Sequence, residues 1–222
     1  MDDRSRAEVR RTYERIGDHF SKTREYAWPE VESFIADADE GGTALDIGCG
    51  NGRHAELLAD HADAVVGLDV SRGLLGEARV RAIEHGFETA LVQGDAASLP
   101  FDGDRFDLGV YVATLHHLRP RTRRVASLDE LARVLAPGGR ALVSAWATVH
   151  ARFADEHADA DEGFDTTVDW TLPGGETVPR FYHIYAPAEF ERDIVDSDLR
   201  LASLELSSGN CYGVVEPEGK RT

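Results

Sequence analysis

The sequence has few cysteines, no long apolar run and no leader-like start. Its two cysteines, Cys49 and Cys211, do not make a disulfide framework. No apolar stretch is long enough to cross a bilayer, and residues 1–18 are charged throughout, unlike a secretory signal peptide. We therefore expect a reduced, cytoplasmic protein with no membrane partner. With 222 residues, 42% of them hydrophobic, the chain predicts one substantial core and a single domain over residues 1–222.

Lysine is also scarce, since only Lys22 and Lys220 occur. Asp and Glu total 41 against 24 Lys plus Arg, which gives a net charge of −17. The acids are dispersed along the chain. This pattern is typical of halophilic proteins such as those of haloarchaea, with an ordinary acidic enzyme as the alternative. Acidity argues against a nucleic-acid partner. Arginines at 119–124 and in the first helix weaken that objection, unless they only balance nearby acids.

Strand-like apolar segments alternate with helical patterns in the central part of the chain. The predicted strands are Thr43–Ile47, Ala64–Val70, Thr89–Val92, Phe106–Val112 and Arg140–Trp146. Two helices precede this core, within residues 1–38, and Pro137-Gly138-Gly139 should end the helix before the fifth strand. The alternation predicts parallel βαβ units and an α/β, doubly wound, mostly parallel sheet, which binds ligands beyond the carboxyl ends of its strands.

The chain after this core divides into two parts. Residues 149–178 are acidic and loop-like. Residues 180–216 form a substrate-side segment with a helix at Ala188–Asp196 and two closing strands, Leu199–Leu206 and Cys211–Val215. There is no internal repeat. The predicted layout is therefore one domain, with helices at 1–38, a ligand-binding core at 40–146, and the two later parts.

The first predicted strand runs into a glycine-rich turn, Asp46-Ile47-Gly48-Cys49-Gly50-Asn51-Gly52. Glycines let a ligand approach the backbone closely and let the chain turn sharply into the next helix. A dinucleotide fingerprint needs a further glycine where Arg53 stands, so the spacing argues mildly against a nicotinamide cofactor. A plain tight turn is the alternative interpretation.

Two further carboxylates follow later strands. Asp69 ends the second strand, where a carboxylate can accept both hydroxyls of a ribose. Asp95 follows the third strand, beside Ala96. A dinucleotide site explains Asp69 but not Asp95, whereas the amino group of an adenine needs an acceptor such as Asp95. Either aspartate alone is compatible with a solvated loop acid. The glycine turn and both aspartates at successive strand ends indicate one ligand site.

With Leu135-Ala136-Pro137-Gly138-Gly139, these segments resemble the motif series of Rossmann-like methyltransferases over residues 40–146. The resemblance implies S-adenosylmethionine as cofactor and a seven-stranded sheet with a final antiparallel strand. It implies that Gly48 and Gly50 face the methionine portion, Asp69 the ribose, and Asp95 with Ala96 the adenine. No metal site is predicted. The cofactor-binding residues that it predicts are Asp46, Gly48, Gly50, Asp69, Val70, Asp95, Ala96 and Val112.

The fourth strand leads into a loop, Tyr111-Val112-Ala113-Thr114-Leu115-His116-His117-Leu118, which should lie under the methyl group. The loop has no Asn-Pro-Pro-Tyr motif, which disfavours methylation of an exocyclic amine. It also has no cysteine, which disfavours covalent attack on a pyrimidine ring. A His-His pair occurs in many small-molecule methyltransferases as well. His116 is therefore either a substrate contact or a residue that shapes the loop.

The flanks resemble the tRNA wobble-uridine carboxymethyl methyltransferases. The segments that carry this resemblance are Tyr13–Arg24, Trp28–Val31, His116–Leu118, Ala145–Ala147 and Arg180–Tyr185. Those enzymes esterify a carboxymethyl group on uridine to give 5-methoxycarbonylmethyluridine, usually with a small zinc-binding activator subunit. The resemblance implies a tRNA substrate and a heterodimer. In it, Thr89–Val92 of the third strand, the predicted sheet edge, accepts a strand from the activator.

A carboxylate nucleophile is already ionised at neutral pH, so it needs aiming rather than a strong base. Cationic groups clamp a carboxylate or a nearby phosphate. Tyr182 or Trp146 is a candidate to stack on the base, with core packing as the alternative. Arg180 and His183 are alternatively surface residues at a strand edge. A small-molecule C- or O-methyltransferase is the alternative enzyme, and a cofactor-binding scaffold is the non-enzymatic alternative. The candidate catalytic residues are Arg24, His116, Arg180 and His183.

Overall fold

A computed structural model of the chain describes residues 3–157 and 159–219. Its helices are α1 (Asp3–Lys22), α2 (Pro29–Ala36), α3 (Arg53–Ala59), α4 (Arg72–His85), α5 (Arg121–Val134), α6 (Ala154–His157) and α7 (Pro187–Val195), with a 3₁₀ turn at Leu115–His117. Its strands are β1 (Thr43–Ile47), β2 (Ala64–Asp69), β3 (Ala90–Gln93), β4 (Phe106–Val112), β5 (Leu135–Trp146), β6 (Phe164–Thr171), β7 (Thr177–Ile184), β8 (Leu199–Ser207) and β9 (Asn210–Pro217). Within these ranges no helix has the length and apolar character that crossing a bilayer requires.

Seven strands form one sheet in the order β3-β2-β1-β4-β5-β9-β8, and β6 and β7 form a two-stranded sheet. The pairs β1–β2, β2–β3 and β4–β5 are parallel. Strand β9 runs antiparallel to both β5 and β8. The predicted doubly wound, mostly parallel sheet with a final antiparallel strand is confirmed. The third strand lies at an edge of the sheet, as the sequence predicted.

The described residues fall into two compact units. One comprises the residues up to Ala96 together with Thr167–Arg180, and the other comprises Ala97–Thr166 and the residues from Phe181 onward. Each unit has a core of its own. In the first unit the largest fully buried side chains are Ile16, Leu45, Ile47, Leu58 and Leu68. In the second they are Tyr111, Leu115, Leu128, Leu131, Leu135, Tyr185 and Phe190.

Local sequence signals explain where the helices of the first unit begin. Pro29 occupies the first turn of α2, where its missing N–H costs no hydrogen bond. The Ser71 hydroxyl accepts from the Leu74 N–H at 3.2 Å and so caps α4. Gly52 precedes α3 with a φ of +81°, and a Cβ there would lie 3.1 Å from the Cβ of Ala78. The glycine therefore lets α3 approach α4 closely.

The prediction that Pro137-Gly138-Gly139 ends the helix before β5 was wrong. Helix α5 already ends at Val134, and the three residues lie inside β5, which begins at Leu135 rather than Arg140. Leu135 pairs with Phe106, and the register then shifts before Arg140 pairs with Leu108. A Cβ on Gly139 would lie 2.8 Å from the Phe106 carbonyl oxygen, so glycine is required by this irregular pairing.

The sequence predicts that the acidic stretch 149–178 is loop-like, but the structure shows regular elements there. It contains the short helix α6 and strand β6, and it leads into β7. The tip between the two strands is a tight turn, with hydrogen bonds from the Leu172 N–H to the Glu176 carbonyl and from the Gly175 N–H to the Leu172 carbonyl. Gly174 and Gly175 have φ values of +105° and +89°, which the turn needs.

Candidate active site

The glycine-rich turn after β1 holds a buried carboxylate. Asp46 is 1% exposed, and neither of its side-chain oxygens has a hydrogen-bond partner among the described residues. Burial raises the pKa of Asp46 from 3.8 to about 7, and the nearby Asp69 carboxylate adds to this shift. The charge of Arg53 and, more weakly, the backbone N–H of Ala55 oppose it, although that N–H makes no well-formed hydrogen bond to the carboxylate. A buried carboxylate without a partner is costly, so it marks a position where a cationic or hydrogen-bonding ligand group fits.

Asp69, at the end of β2, braces the same turn. One carboxylate oxygen accepts from the Gly50 N–H at 2.9 Å, and the other accepts from the Ser71 N–H at 2.8 Å. Burial raises its pKa to about 6 despite these amide donors. Each oxygen keeps a further lone pair for a ligand hydroxyl. A Cβ placed on Gly50 meets nothing within 4 Å, so the backbone there borders open space.

A cleft of about 490 Å³ adjoins the ends of β2 and β3. Its wall includes three predicted cofactor positions or their neighbours, Val70, Gly94 and Asp95, and α1 supplies the facing wall. The Gln93 side-chain amide donates to the Val70 carbonyl at 3.0 Å and so ties the two strand ends together. Ala96 follows Asp95 directly. The volume lies within the usual range for small-molecule sites.

In the second unit, the predicted contact Val112 ends β4, and the chain then turns sharply. Ala113 has a φ of +54°, an uncommon conformation for a residue with a Cβ. Its N–H donates to the carbonyl and the hydroxyl of Ser144 on β5, which holds the turn in place. The turn delivers the 3₁₀ segment that carries His116.

His116 lies in an aromatic cluster that it forms with His117, Tyr182 and Trp146. The Tyr182 ring stacks on Trp146 with 5.0 Å between centroids, and it lies 4.6 Å from the His116 ring. The Trp146 backbone N–H donates to Nδ1 of His116 at 3.2 Å. That nitrogen must therefore carry a lone pair, so the neutral ring bears its proton on Nε2.

Arg24 and Arg180, two of the predicted substrate contacts, meet on one aromatic ring in the first unit. The guanidinium carbon of Arg180 lies 4.9 Å from the Trp170 ring centroid, and that of Arg24 lies 5.6 Å from it. Arg24 also lies 5.3 Å from the Phe20 ring. The Trp170 indole N–H donates to Nδ1 of His19 at 3.0 Å, which fixes the ring. The fold thus presents two cations on a single platform.

Asn51 links the glycine turn to Arg24. Its side-chain amide donates to the backbone carbonyls of Ser21 at 3.3 Å and Arg24 at 2.9 Å. The residue that follows Gly50 therefore holds the end of α1 and the Arg24 segment against the turn.

His183 belongs neither to the His116 cluster nor to the pair of arginines on Trp170. Its Nδ1 is 2.8 Å from Asp165, and its Nε2 is 3.0 Å from Glu189 and 3.2 Å from Arg124. Arg124 also approaches Asp193, which accepts from the Tyr185 hydroxyl. Both ring nitrogens of His183 are therefore occupied within the protein. This buried network joins α5 and α7 to β7.

Sequence reasoning missed Trp170 and Asn51. Trp170 belongs to an alternating row on β6, with Phe164, Thr166 and Val168, which is the usual signal of a half-buried strand. The acids between these residues hid the pattern. Asn51 was read only as part of the glycine turn, and its partners lie about 30 residues away on a segment whose position the sequence does not reveal.

Comparisons with known proteins agree with this geometry. A methyltransferase domain family model matches residues 44–139. A putative methyltransferase of Encephalitozoon cuniculi is 31% identical over 97% of this chain and 100% of its own length. The tRNA (carboxymethyluridine(34)-5-O)-methyltransferase of Xenopus tropicalis is 38% identical over 63% of the chain and 21% of its own length. That of Saccharomyces cerevisiae is 32% identical over 78% and 59%. The chain thus spans between a fifth and three fifths of these two relatives.

Solved structures share the fold. A complex of DhpI with SAH matches with a TM-score of 0.73 and 21% identity over 97% of this chain and 98% of that one. A chain of the complex between the Haloferax volcanii Trm112 methyltransferase activator and the putative methyltransferase matches with a TM-score of 0.71 and 19% identity, over 96% and 99%.

The residues at the ends of β1 and β2 fit the cofactor of this family. The carboxylate of Asp46 would suit the ammonium group of its methionine portion. Asp69 keeps acceptor capacity for ribose hydroxyls, and the space beside Gly50 admits a ligand. The chain belongs to the S-adenosylmethionine-dependent methyltransferases of Rossmann-like fold, and S-adenosylmethionine is its cofactor.

Proposed function

We propose that this methyltransferase esterifies a carboxymethyl group on the wobble uridine of tRNA to 5-methoxycarbonylmethyluridine. The observation that carries the proposal is the meeting of Arg24 and Arg180 on the Trp170 ring. Two fixed guanidinium groups suit an anionic substrate group, such as a carboxylate. Relatives named as tRNA carboxymethyluridine methyltransferases, 32–38% identical, support the same substrate.

The reaction needs little acid–base chemistry. When bound, S-adenosylmethionine would supply a methyl group on a sulfonium, to which a carboxylate oxygen would bond as the C–S bond breaks. No proton is transferred in this step, because the nucleophile is already an anion at neutral pH. The task of the protein is to fix the carboxylate in line with the methyl group and to exclude water.

We assign the clamp to Arg24 and Arg180. Arg180 is only 6% exposed, and the Trp170 ring restricts its guanidinium plane. A clamp that bound both carboxylate oxygens tightly would weaken the nucleophile, so we expect these arginines to hold one oxygen or an adjacent phosphate.

We assign His116 the role of a neutral hydrogen-bond donor. The Trp146 N–H occupies its Nδ1, so that the neutral ring bears its proton on Nε2. A neutral donor can orient a carboxylate oxygen while lowering its nucleophilicity less than a charged imidazolium would. Tyr182 and Trp146 form a stacked pair that suits contact with a nucleobase. His183, with both nitrogens engaged by Asp165, Glu189 and Arg124, we now assign to the support of β7 rather than to substrate.

We further propose that an activator subunit docks on the edge strand β3 and the adjoining helix α4. Strand β3 is the sheet edge, so its outer backbone groups are available for an added strand. Helix α4, which packs on β3, exposes Val80 by 49% and Ile83 by 73%, one turn apart. The structural neighbour that is complexed with the Trm112 activator supports this kind of partner.

Copurification tests the docking surface. Val80→Asp with Ile83→Asp should abolish capture of a zinc-binding activator of this kind. The matched control is Val195→Asp with Leu206→Asp, because these side chains are 63% and 48% exposed and lie outside the proposed surface. If the test variant and the control variant retained the same amount of activator, the proposed docking surface would be refuted.

Methyl-labelled S-adenosylmethionine and tRNA, with and without the activator, test the reaction. Mild alkali should release volatile labelled methanol from the recovered tRNA, because a methyl ester hydrolyses. Label that stays on the tRNA after alkali would support tRNA as the substrate but would contradict the formation of a methyl ester. Label that reaches a small metabolite instead of tRNA would support the small-molecule alternative, and absence of any transfer would support a scaffold.

A further inference from the structure

The first unit carries an arginine cleft beside the proposed adenosine end of the cofactor site. It is a depression of about 480 Å³ that adjoins the cleft of about 490 Å³ described above at the predicted cofactor positions, and the two share Arg10, Arg11 and Gln93 as wall residues. Their walls hold five arginines and two carboxylates, a local charge of +3 in a chain whose net charge is −17. The arginines are Arg6, Arg10, Arg11, Arg15 and Arg72.

Some of these charges have partners in the protein. Arg6 lies 3.5 Å from Asp95, and Arg15 pairs with Glu176, the residue that directly precedes β7. Glu14 uses both oxygens on the first backbone amides of α4, at 2.7 Å from the Arg72 N–H and 3.1 Å from the Gly73 N–H. Both carboxylates of the cleft are thus already engaged.

Arg10, Arg11 and Arg72 remain. Among residues 3–157 and 159–219, none of their three side chains makes an ion pair or a hydrogen bond, and all three are exposed. The cofactor does not account for them, because adenosine carries no anionic group. Packing does not require them either. Three unpaired guanidinium groups kept together in an acidic chain indicate an anionic ligand from outside.

The positions of these arginines are fixed by the docking of α1 on α4. Glu14 anchors α1 to the start of α4, and Gly17 of α1 packs beside Leu74 of α4, where a Cβ on the glycine would lie 3.6 Å from the leucine side chain. Arg10 and Arg11 lie one turn before Glu14 on α1, and Arg72 is the first residue of α4. The anchor therefore sets all three along one cleft.

We propose that the arginine cleft binds phosphate groups of an RNA backbone, so that the substrate runs along α1 past the cofactor site. This inference rests on the proposed tRNA substrate and extends it to a second contact region. Arginine suits phosphate because its planar donors bind two oxygens at once. A local positive cleft also answers the objection that a polyanionic protein should repel RNA, since the field at the contact is what counts.

Salt-dependent binding of an unmodified tRNA transcript tests the cleft. The full chain, with its activator if copurified, is compared as wild type, as R10Q/R72Q and as the control R105Q/R192Q. Both variants remove two exposed arginines and two charges, but Arg105 and Arg192 lie outside the cleft. Each lost phosphate contact should reduce the slope of log affinity against log salt by about 0.7 to 0.9, so R10Q/R72Q should lose about 1.5. Adding R11Q should reduce the slope further.

The control should keep the wild-type slope, and thermal unfolding should confirm that all variants are folded. Equal losses in both double variants would mean that only net charge matters and would overturn the cleft. If wild type methylates tRNA and R10Q/R72Q binds it normally, the cleft fails while the proposed function stands. If tRNA binding depends on the cleft but no methyl ester forms on carboxymethylated tRNA, the cleft stands and the proposed function fails.

Discussion

Trp170 should be a positioning residue for the substrate clamp, and its replacement by alanine should damage turnover more than cofactor binding. The indole ring lies under Arg24 and Arg180 and is itself held by His19. Trp170→Ala removes the ring contact that the two guanidinium groups share. Trp170→Phe keeps a ring but loses the hydrogen bond to His19.

The size of the effect follows from the two cation–ring contacts. An exposed contact is worth about 0.5–1 kcal/mol and a desolvated one about 2 kcal/mol. Arg180 is nearly buried and Arg24 is half-buried, so Trp170→Ala should lose about 1.5–3 kcal/mol of positioning. Expressed in the transition state, this is about a tenfold to hundredfold loss in kcat/KM for tRNA. Trp170→Phe should lose less than about tenfold.

Steady-state kinetics with carboxymethylated tRNA, beside calorimetric titration of S-adenosylmethionine, provides the assay. The Kd of the cofactor should stay within about twofold of the wild-type value, because the proposed role of Trp170 is to position the two arginines and not to hold the glycine-rich turn. Unchanged kcat/KM in Trp170→Ala would refute the role of the ring. A parallel loss of cofactor binding and thermal stability would show that the variant only unfolds the first unit.

Four further predictions concern ionisation and support. Cofactor affinity should rise as pH increases through about 7, because burial raises the pKa of Asp46 to about 7 and only its carboxylate form pairs with an ammonium; calorimetry should find this dependence lost in Asp46→Asn. By the same shift, the cofactor-free protein should lose stability as pH rises from about 4 towards 7, since its folded form holds the proton more tightly than the unfolded chain. Asn51→Ala removes two hydrogen bonds to the Ser21–Arg24 segment, each worth about 0.5–1.5 kcal/mol, and should raise the KM for tRNA about tenfold; an unchanged KM would contradict the link. Burial raises the pKa of Glu189, but His183, the Gly163 N–H and Arg124 outweigh burial and hold that pKa below its ordinary value. Ionised Glu189 therefore stabilises the fold at pH values above the ordinary glutamate pKa. This stabilisation is lost as the pH falls through the depressed pKa, so Glu189→Gln should flatten the acid side of the Tm–pH curve.

The sequence predicted the sheet well because its signals are local. Thr43–Ile47 and Phe106–Val112 are apolar runs that end at sharp turns, and the structure has both strands with those bounds. Ser71 and Pro29 mark helix starts by their own chemistry. The carboxylates of the cofactor site follow from strand ends, which a parallel sheet brings to one edge.

The substrate side was less predictable because it depends on contacts between distant segments. Arg180, Tyr182 and His183 are near neighbours in sequence, but successive side chains on a strand point to opposite faces. Tyr182 therefore joins the His116 cluster, whereas His183 joins Glu189 and Asp165. Trp170 belongs to the stretch 149–178, which resembles a loop in the sequence because it is rich in acidic residues.

The central claim is that the methyl group is placed on a carboxymethyluridine of tRNA. Labelled tRNA, treated with the chain and its activator, would be digested to nucleosides under conditions that preserve esters and separated by chromatography with mass detection. We expect the label to coincide with 5-methoxycarbonylmethyluridine and to disappear in Arg180→Ala, while that variant still binds S-adenosylmethionine. Label in any other nucleoside, or a carboxymethyluridine that remains unmodified beside an active enzyme, would contradict it.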